Sequence, residues 1–264
     1  MTTKFGRRSI LQMGGGLLAA SALLTVPTLA QKAKTAAVKP GVLEPEALAV
    51  LDKMGAHLRT LKQFKLVSTA TTEDVYENGQ KLQFLQRATY TYGGPQALQV
   101  KIETDRQNRE VFYNGKTVTV AAPRAGKYLE LPATGTVGDV LTRAFDDWGL
   151  EFPVQDLFRW GDASATAQRP REGFKVGTAT IGDNLTDHYA FRQAGVDWQL
   201  WVDQGDKPLP RKMVITNTDD AAQPEYVAYF TWDTAPTIAP GTFDFKPSGT
   251  DTRIDLKTLA ASTK

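Results

Sequence analysis

The 264-residue chain contains no cysteine. Disulfides, zinc–thiolate sites, cysteine nucleophiles and thiol redox chemistry are excluded outright, and the fold must hold by packing alone. Histidine is almost as scarce, with only His57 and His188. Two histidines far apart fall short of a zinc ligand set, and no Gly-x-Ser-x-Gly elbow exists for His188 to serve. No glycine-rich loop opens a helix after a strand, so no phosphate cradle is indicated. The adjacent acids Asp146-Asp147 and Asp219-Asp220 make no dyad. Neighbours on a helix diverge, and acids in a polar loop are solvated. A glycosidase would need two carboxylates facing across a cleft, which a linear sequence does not place. Neither charge sign dominates, with 31 basic against 29 acidic residues. That balance gives no electrostatic case for nucleic acid or an anionic membrane surface. The expectation is a protein that is not an enzyme and carries no metal or cofactor.

What is present begins with GRRSILQMGGGLLAASALLTVPTLAQ, residues 6–31. A basic start at Arg7-Arg8, an uncharged run from Met13 to Leu29 and the small-residue site Thr28-Leu29-Ala30 have the layout of a secretory signal. Gly14-Gly15-Gly16 and Pro27 interrupt the run, which falls short of a membrane span. Arg7-Arg8-Ser9-Ile10-Leu11-Gln12 resembles the twin-arginine export signal. Residues 1–30 are thus expected to be cleaved after Ala30 and the mature chain released into the periplasm. Removal takes Lys4, Arg7 and Arg8 and no acid, so 31 − 3 = 28 bases remain against 29 acids, a net of about −1.

Residues 31–43 read as a flexible leader closed by Pro40-Gly41. From Glu44 the apolar residues Ala47, Leu51, Met54, Leu58 and Leu61 recur at helical spacing, predicting a helix to about Lys62 with Pro45 in its first turn. The period then switches to two. Leu82, Phe84, Ala88 and Tyr90 share a face. So do Leu98, Val100 and Ile102, then Val118 and Val120, then Trp198, Leu200 and Val202, then Tyr226, Ala228, Phe230 and Trp232. Asn78-Gly79, Asn114-Gly115, Gly182-Asp183, Ala194-Gly195 and Gly205-Asp206 mark the turns. A helical interval at 136–160 breaks the meander. Val137, Val140, Leu141, Ala144, Phe145 and Trp148 are helically spaced, and a second short helix covers 155–160. About ten strands, few helices and no repeat or long linker predict one α+β domain over 44–264. It is a strongly curved antiparallel sheet, a half-barrel, with the helices packed in its concave face.

A half-closed barrel leaves an apolar mouth, a common ligand site. The inward residues named by alternation are Phe84, Leu98, Val100, Trp198, Leu200, Phe230 and Trp232. Phe145, Trp148 and Phe158 are candidates for a lid. The expected ligand is an apolar small molecule or lipid acyl chain. The first alternative is an envelope protein partner, met at a sheet edge or at Trp201, which alternates onto the more polar strand face; the second, less favoured, is a hydrolase whose residues converge only in three dimensions.

The order of elements carries a family resemblance. REVFYNGKTVTVAAP (109–123), WQLWVDQGDKPLPRKMVIT (198–216), YVAYFTWD (226–233) and the closing FDFKP (243–247) resemble a family of predicted periplasmic proteins classed as a domain of unknown function (DUF2092). More distantly, the chain is similar to lipoprotein carriers of the LolA/LolB type. That resemblance implies a half-barrel sheet with a helical lid over a cavity for acyl chains, and an early-strand arginine that locks the lid. The carriers have an Arg-Pro pair there, and this chain has Arg87-Ala88. Arg87 is the expected polar handle for a carboxylate or phosphate head group. By strict alternation it lies opposite Phe84, so a bulge or twist would be needed to bring it inward.

Overall fold

A computed structural model describes residues 41–148 and 170–255. The export signal, most of the leader, the second helix at 155–160 and Phe158 lie outside the described residues. All the described residues fall in one compact unit, Ala36–Lys264.

The first helix, α1, spans Pro45–Thr60, with Pro45 at its start and Glu46 in the first turn, where the helix dipole favours a carboxylate. It ends at Leu61, whose extended backbone still donates its N–H to Leu58 O at 3.2 Å. Six strands follow: β1 Phe64–Val75, β2 Lys81–Gly94, β3 Ala97–Thr104, β4 Asn108–Tyr113, β5 Thr117–Ala122 and β6 Lys127–Pro132. Helix α2, Val137–Trp148, comes next, then β7 Glu172–Ile181, β8 Asn184–Gln193, β9 Val196–Asp203, β10 Pro210–Asn217, β11 Glu225–Asp233 and β12 Thr252–Arg253. The expected turns sit between strands. At Asn114-Gly115 the Asn114 Oδ1 accepts the N–H groups of Lys116 and Thr117, each at 3.1 Å, and Gly115 takes φ 86°, a conformation open to glycine without a Cβ clash.

The strands form one sheet in the order β12-β6-β5-β4-β3-β2-β1-β11-β10-β9-β8-β7. Every pairing is antiparallel except β12 with β6. The described residues form twelve strands rather than about ten, and a two-residue strand such as β12 is too short to display alternation. The terminal strands of the order, β12 and β7, do not pair, so the sheet is open. Laid flat it would be roughly 50 Å wide at the usual strand spacing. Yet Val100 and Val118 of one wing, Phe191, Leu200 and Val202 of the other, and both helices share one hydrophobic core. The sheet therefore curls around the helices, the half-barrel expected from the sequence.

Each helix is tied to one wing. The α1 end is held at β7, where Glu44 N–H donates to Gly173 O at 2.8 Å and Gly173 N–H to Val42 O at 3.1 Å. Along α1, Met54 is 0% and Leu58 9% exposed, as expected, whereas Leu51 and Leu61 are only half-buried at the border of the buried stripe. Helix α2 opens with a capping box. Asp139 N–H donates to Thr136 Oγ1 at 3.3 Å, and Thr136 N–H donates back to Asp139 Oδ2 at 2.8 Å. Tyr113 Oη donates to Gly135 O at 2.6 Å and Val137 N–H to Pro95 O at 2.7 Å, fixing the helix start beside β2–β4. Val137, Val140, Leu141 and Ala144 then enter the core.

The closing FDFKP segment is a strap on the opposite side of the sheet. The Phe245 ring packs on Phe112 and Tyr128, with centroids 5.4 and 4.9 Å away. The Phe243 ring occupies the space that a Cβ on Gly93 would need. Phe112, Thr119 and Ala121, which point away from the concave core, are buried on that outer face.

Candidate functional site

Cross-strand register turns the concave face into rows that run across the strands. The lower rows are packed. Tyr90 faces Val100 on β3 and Leu66 on β1, and Leu66 faces Trp232 on β11. Of the sequence-named ligand residues, Leu98, Val100, Leu200 and Phe230 are fully buried in the core shared with Met54, Leu58 and α2. Trp232 is half-buried at the lower rim, tilted against Phe64 at 5.2 Å, and its Nε1–H donates to Pro210 O at 2.9 Å.

The upper rows are not so covered. One row crosses six strands without a break. Phe84 pairs with Thr72, Thr72 with Tyr226, Tyr226 with Ile215, Ile215 with Trp198, and Trp198 with Phe191. All but Phe191 remain half-buried. Five strand spacings make the row roughly 24 Å long. The Phe84 ring carries the Arg106 guanidinium 3.7 Å from its centroid, and Asp74 holds that guanidinium at 3.1 Å. Trp198 stacks on Phe191 at 4.1 Å and 19°. Gly173 admits the Phe191 ring, because a Cβ there would stand 2.6 Å from Phe191 Cδ1.

Charge on this face gathers at the α1 corner. Lys175 Nζ lies 3.1 Å from Glu46 Oε1 and 3.0 Å from Asp187 Oδ2. Burial works against the ammonium, but hydrogen bonds to the two carboxylates outweigh it and raise its pKa to about 12. Burial likewise pushes the Tyr189 phenol up to about 12, and its hydroxyl donates to Glu46 Oε1 at 3.5 Å. The face also carries a half-buried arginine, Arg109, which pairs in register with the inward Ile102.

Arg87 is not that arginine. It pairs with Thr69 and Glu103 on the outer face and is exposed. The β2 ladder is regular from Lys81 to Tyr92, so no bulge turns Arg87 inward. Phe145 and Trp148 belong to α2, but their side chains lie outside the described residues, as does Phe158. The expected set thus converges in part. Phe84 and Trp198 share the open row, four others lie in the packed core, and Arg87 faces away. Sequence reasoning left out Thr72, Ile215 and Arg109 from the row and its border. Tyr226 was already visible, alternating with Ala228 and Phe230.

The outer face has its own features. His188 stacks on Trp201 at 3.9 Å and shares a 3.0 Å hydrogen bond with Gln199 Oε1. Burial lowers its pKa, and Lys212 adds to that while Gln199 opposes it. Lys212 Nζ covers the Trp201 ring at 4.5 Å, and Trp201 is buried beneath it. A recess of about 390 Å³ borders Phe174, Ala190, Gln199, the Arg192–Asp197 ion pair and Trp198. Phe174, Ala190 and Gln199 form an outward row, so this volume is not the concave pocket that alternation predicts. Among the described residues no cluster of three His, Asp or Glu could hold a metal ion, and no helix is long and apolar enough to cross a membrane.

A family model described as "Predicted periplasmic protein (DUF2092)" matches residues 47–257. No curated protein matches the chain. Similar solved structures include LprF from Mycobacterium bovis, 16% identical, covering 79% of this chain and 100% of that one with a TM-score of 0.45. An uncharacterized conserved protein from Thermus thermophilus is 10% identical, with coverage of 79% and 98% and a TM-score of 0.43. A LolA superfamily protein from Nitrosomonas europaea is 11% identical, with coverage of 75% and 97% and a TM-score of 0.36.

Proposed function

The chain belongs to the DUF2092 family of predicted periplasmic proteins, and on that premise we propose that it is an exported, non-catalytic protein that binds a lipid or other apolar ligand on the concave face of its half-barrel. The observation that carries this is the half-buried row Phe84–Thr72–Tyr226–Ile215–Trp198. Large apolar side chains at inward positions are normally covered, and an incompletely covered apolar groove with few polar groups is the usual form of a ligand site. The row has the length and chemistry of an extended acyl chain. Packed residues such as Leu98 and Phe230 support the floor of the site and do not line it.

The test is displacement of a fluorescent fatty-acid probe from the purified mature protein, with Trp198→Ala and Phe84→Ala beside the wild type. Both variants should weaken binding while unfolding cooperatively. Absence of binding by the wild type across several chain lengths would eliminate the proposal. Export follows the twin-arginine route with cleavage after Ala30. Replacing Arg7-Arg8 by Lys-Lys should abolish periplasmic yield. Undiminished yield would rule out the route, and intact residues 1–30 in envelope-extracted protein would rule out the cleavage.

A further inference from the structure

Two hydroxyls in the middle of the concave face, Ser68 Oγ and Tyr226 Oη, find no hydrogen-bond partner among the described residues. Ser68 is 1% exposed. Buried hydroxyls are bonded in the large majority of cases, so an unpaired one calls for a cause. Ser68 lies in the row Arg109–Ile102–Ala88–Ser68–Phe230. Around it the floor is built of small side chains, the buried Ala70, Ala88 and Ala228. Tyr90 reaches over this floor from below and Tyr226 from above. Their mutual influence marks how close they come. Burial raises the Tyr90 phenol well above its ordinary pKa, with the Tyr226 phenol adding to it. Burial also raises Tyr226, and the neighbouring Ser68 hydroxyl opposes that rise without completing a hydrogen bond.

We propose that Ser68 Oγ and Tyr226 Oη bind the uncharged polar end of the ligand, a hydroxyl or an ester carbonyl, so that the half-barrel selects neutral-headed lipids over free fatty acids. This rests on the concave face being the ligand site. Each hydroxyl can donate one hydrogen bond and accept others, which matches a carbonyl or an alcohol. A carboxylate at the same place would be buried with no cation beside it among the described residues, a heavy cost. Arg109 shares the row but lies three strands away, roughly 14 Å at the usual spacing. Lys175 is already held by Glu46 and Asp187.

The experiment compares dodecanol, dodecanoate and dodecane on the mature protein at mildly alkaline pH, by tryptophan fluorescence and native mass spectrometry. Dodecanol should bind about tenfold or more tighter than dodecanoate. Ser68→Ala and Tyr226→Phe should each weaken dodecanol roughly three- to tenfold, the worth of one hydrogen bond, and leave dodecane unchanged. Both substitutions remove a hydroxyl without adding bulk, so both variants should keep the wild-type fold. Dodecane binding together with equal affinity for alcohol and carboxylate, or alcohol affinity indifferent to both variants, overturns the selection while the groove stands. If none of the three binds, the groove itself falls and the selection with it.

Discussion

Gly93, at the end of β2, offers a sharp test of how the strap is held. A methyl group added there would stand 2.5 Å from Phe243 Cε2, closer still to its Cζ, and 3.3 Å from Ala97 Cβ. Carbon atoms pack best at about 3.5–4.0 Å, so the Phe243 ring must retreat by about 1 Å or leave. Forcing a methyl into a packed contact costs about 1–3 kcal/mol. Gly93 is not among the glycines with positive φ, so alanine brings no backbone strain, and its smaller unfolded-state entropy returns about 0.4–1 kcal/mol. The expected net effect of Gly93→Ala is a loss of about 1–2 kcal/mol. With Phe243→Ala already in place the clash is gone, and the same substitution should become neutral or slightly stabilising. A double-mutant cycle by urea unfolding, followed by tryptophan fluorescence, therefore should show a coupling of about 1–3 kcal/mol. Equal costs in both backgrounds would refute the strap contact, and so would a stabilised Gly93→Ala single variant.

Other consequences are as direct. Met54→Ala, at a fully buried position on α1, should lower unfolding stability by about 2–5 kcal/mol. A loss under 1 kcal/mol would mean that α1 does not sit on the sheet as described. The lowered pKa of His188 means that the unfolded chain binds its proton more readily than the folded one. The resulting stability should be complete above the ordinary value of 6.5 and decline as pH falls through the depressed folded value. His188→Phe, which keeps a ring on Trp201, should flatten that part of the stability–pH curve; an unchanged slope would assign it to other groups. Thr136→Ala should cost about 1 kcal/mol through loss of the α2 cap, measured by the same denaturation.

The strand faces, both described helices and the hairpin turns were legible because side-chain period and turn chemistry are local. Alternation placed Phe84, Trp198 and Tyr226 inward and Arg87 outward, as observed. It says nothing of height along a strand. Phe84 and Leu98 look alike in sequence, yet one sits in the open row and the other under the helices, because depth depends on where α1 and α2 lie. Arg109 went unnoticed because it lies near the start of a short strand, where register with Ile102, not periodicity, sets its face. Ser68 did carry a local signal, as the single polar residue in the alternating set Phe64, Leu66, Ser68 and Ala70. FDFKP stood out in the sequence only as a closing aromatic segment, and its role as a strap depends on distant partners, Gly93, Phe112 and Tyr128.

The strand order places the first strand at the centre, with β2 on one side and β11 on the other. From β1 to β6 and from β7 to β11 the chain runs as two meanders that can zip from one hairpin to the next, closing mostly short loops, with only the two-residue β12 returning from afar to the edge at β6. The seam is different: Thr72 meets Tyr226 across roughly 150 intervening positions, and loop-closure entropy makes such a contact slow to form. During synthesis β1 must wait with one edge unpaired until nearly the whole chain has emerged. The half-buried row crosses that seam, with Phe84 and Thr72 on one bank and Tyr226, Ile215 and Trp198 on the other. A chain whose wings have folded but whose seam has not joined holds every residue of the row and lacks the surface they make together.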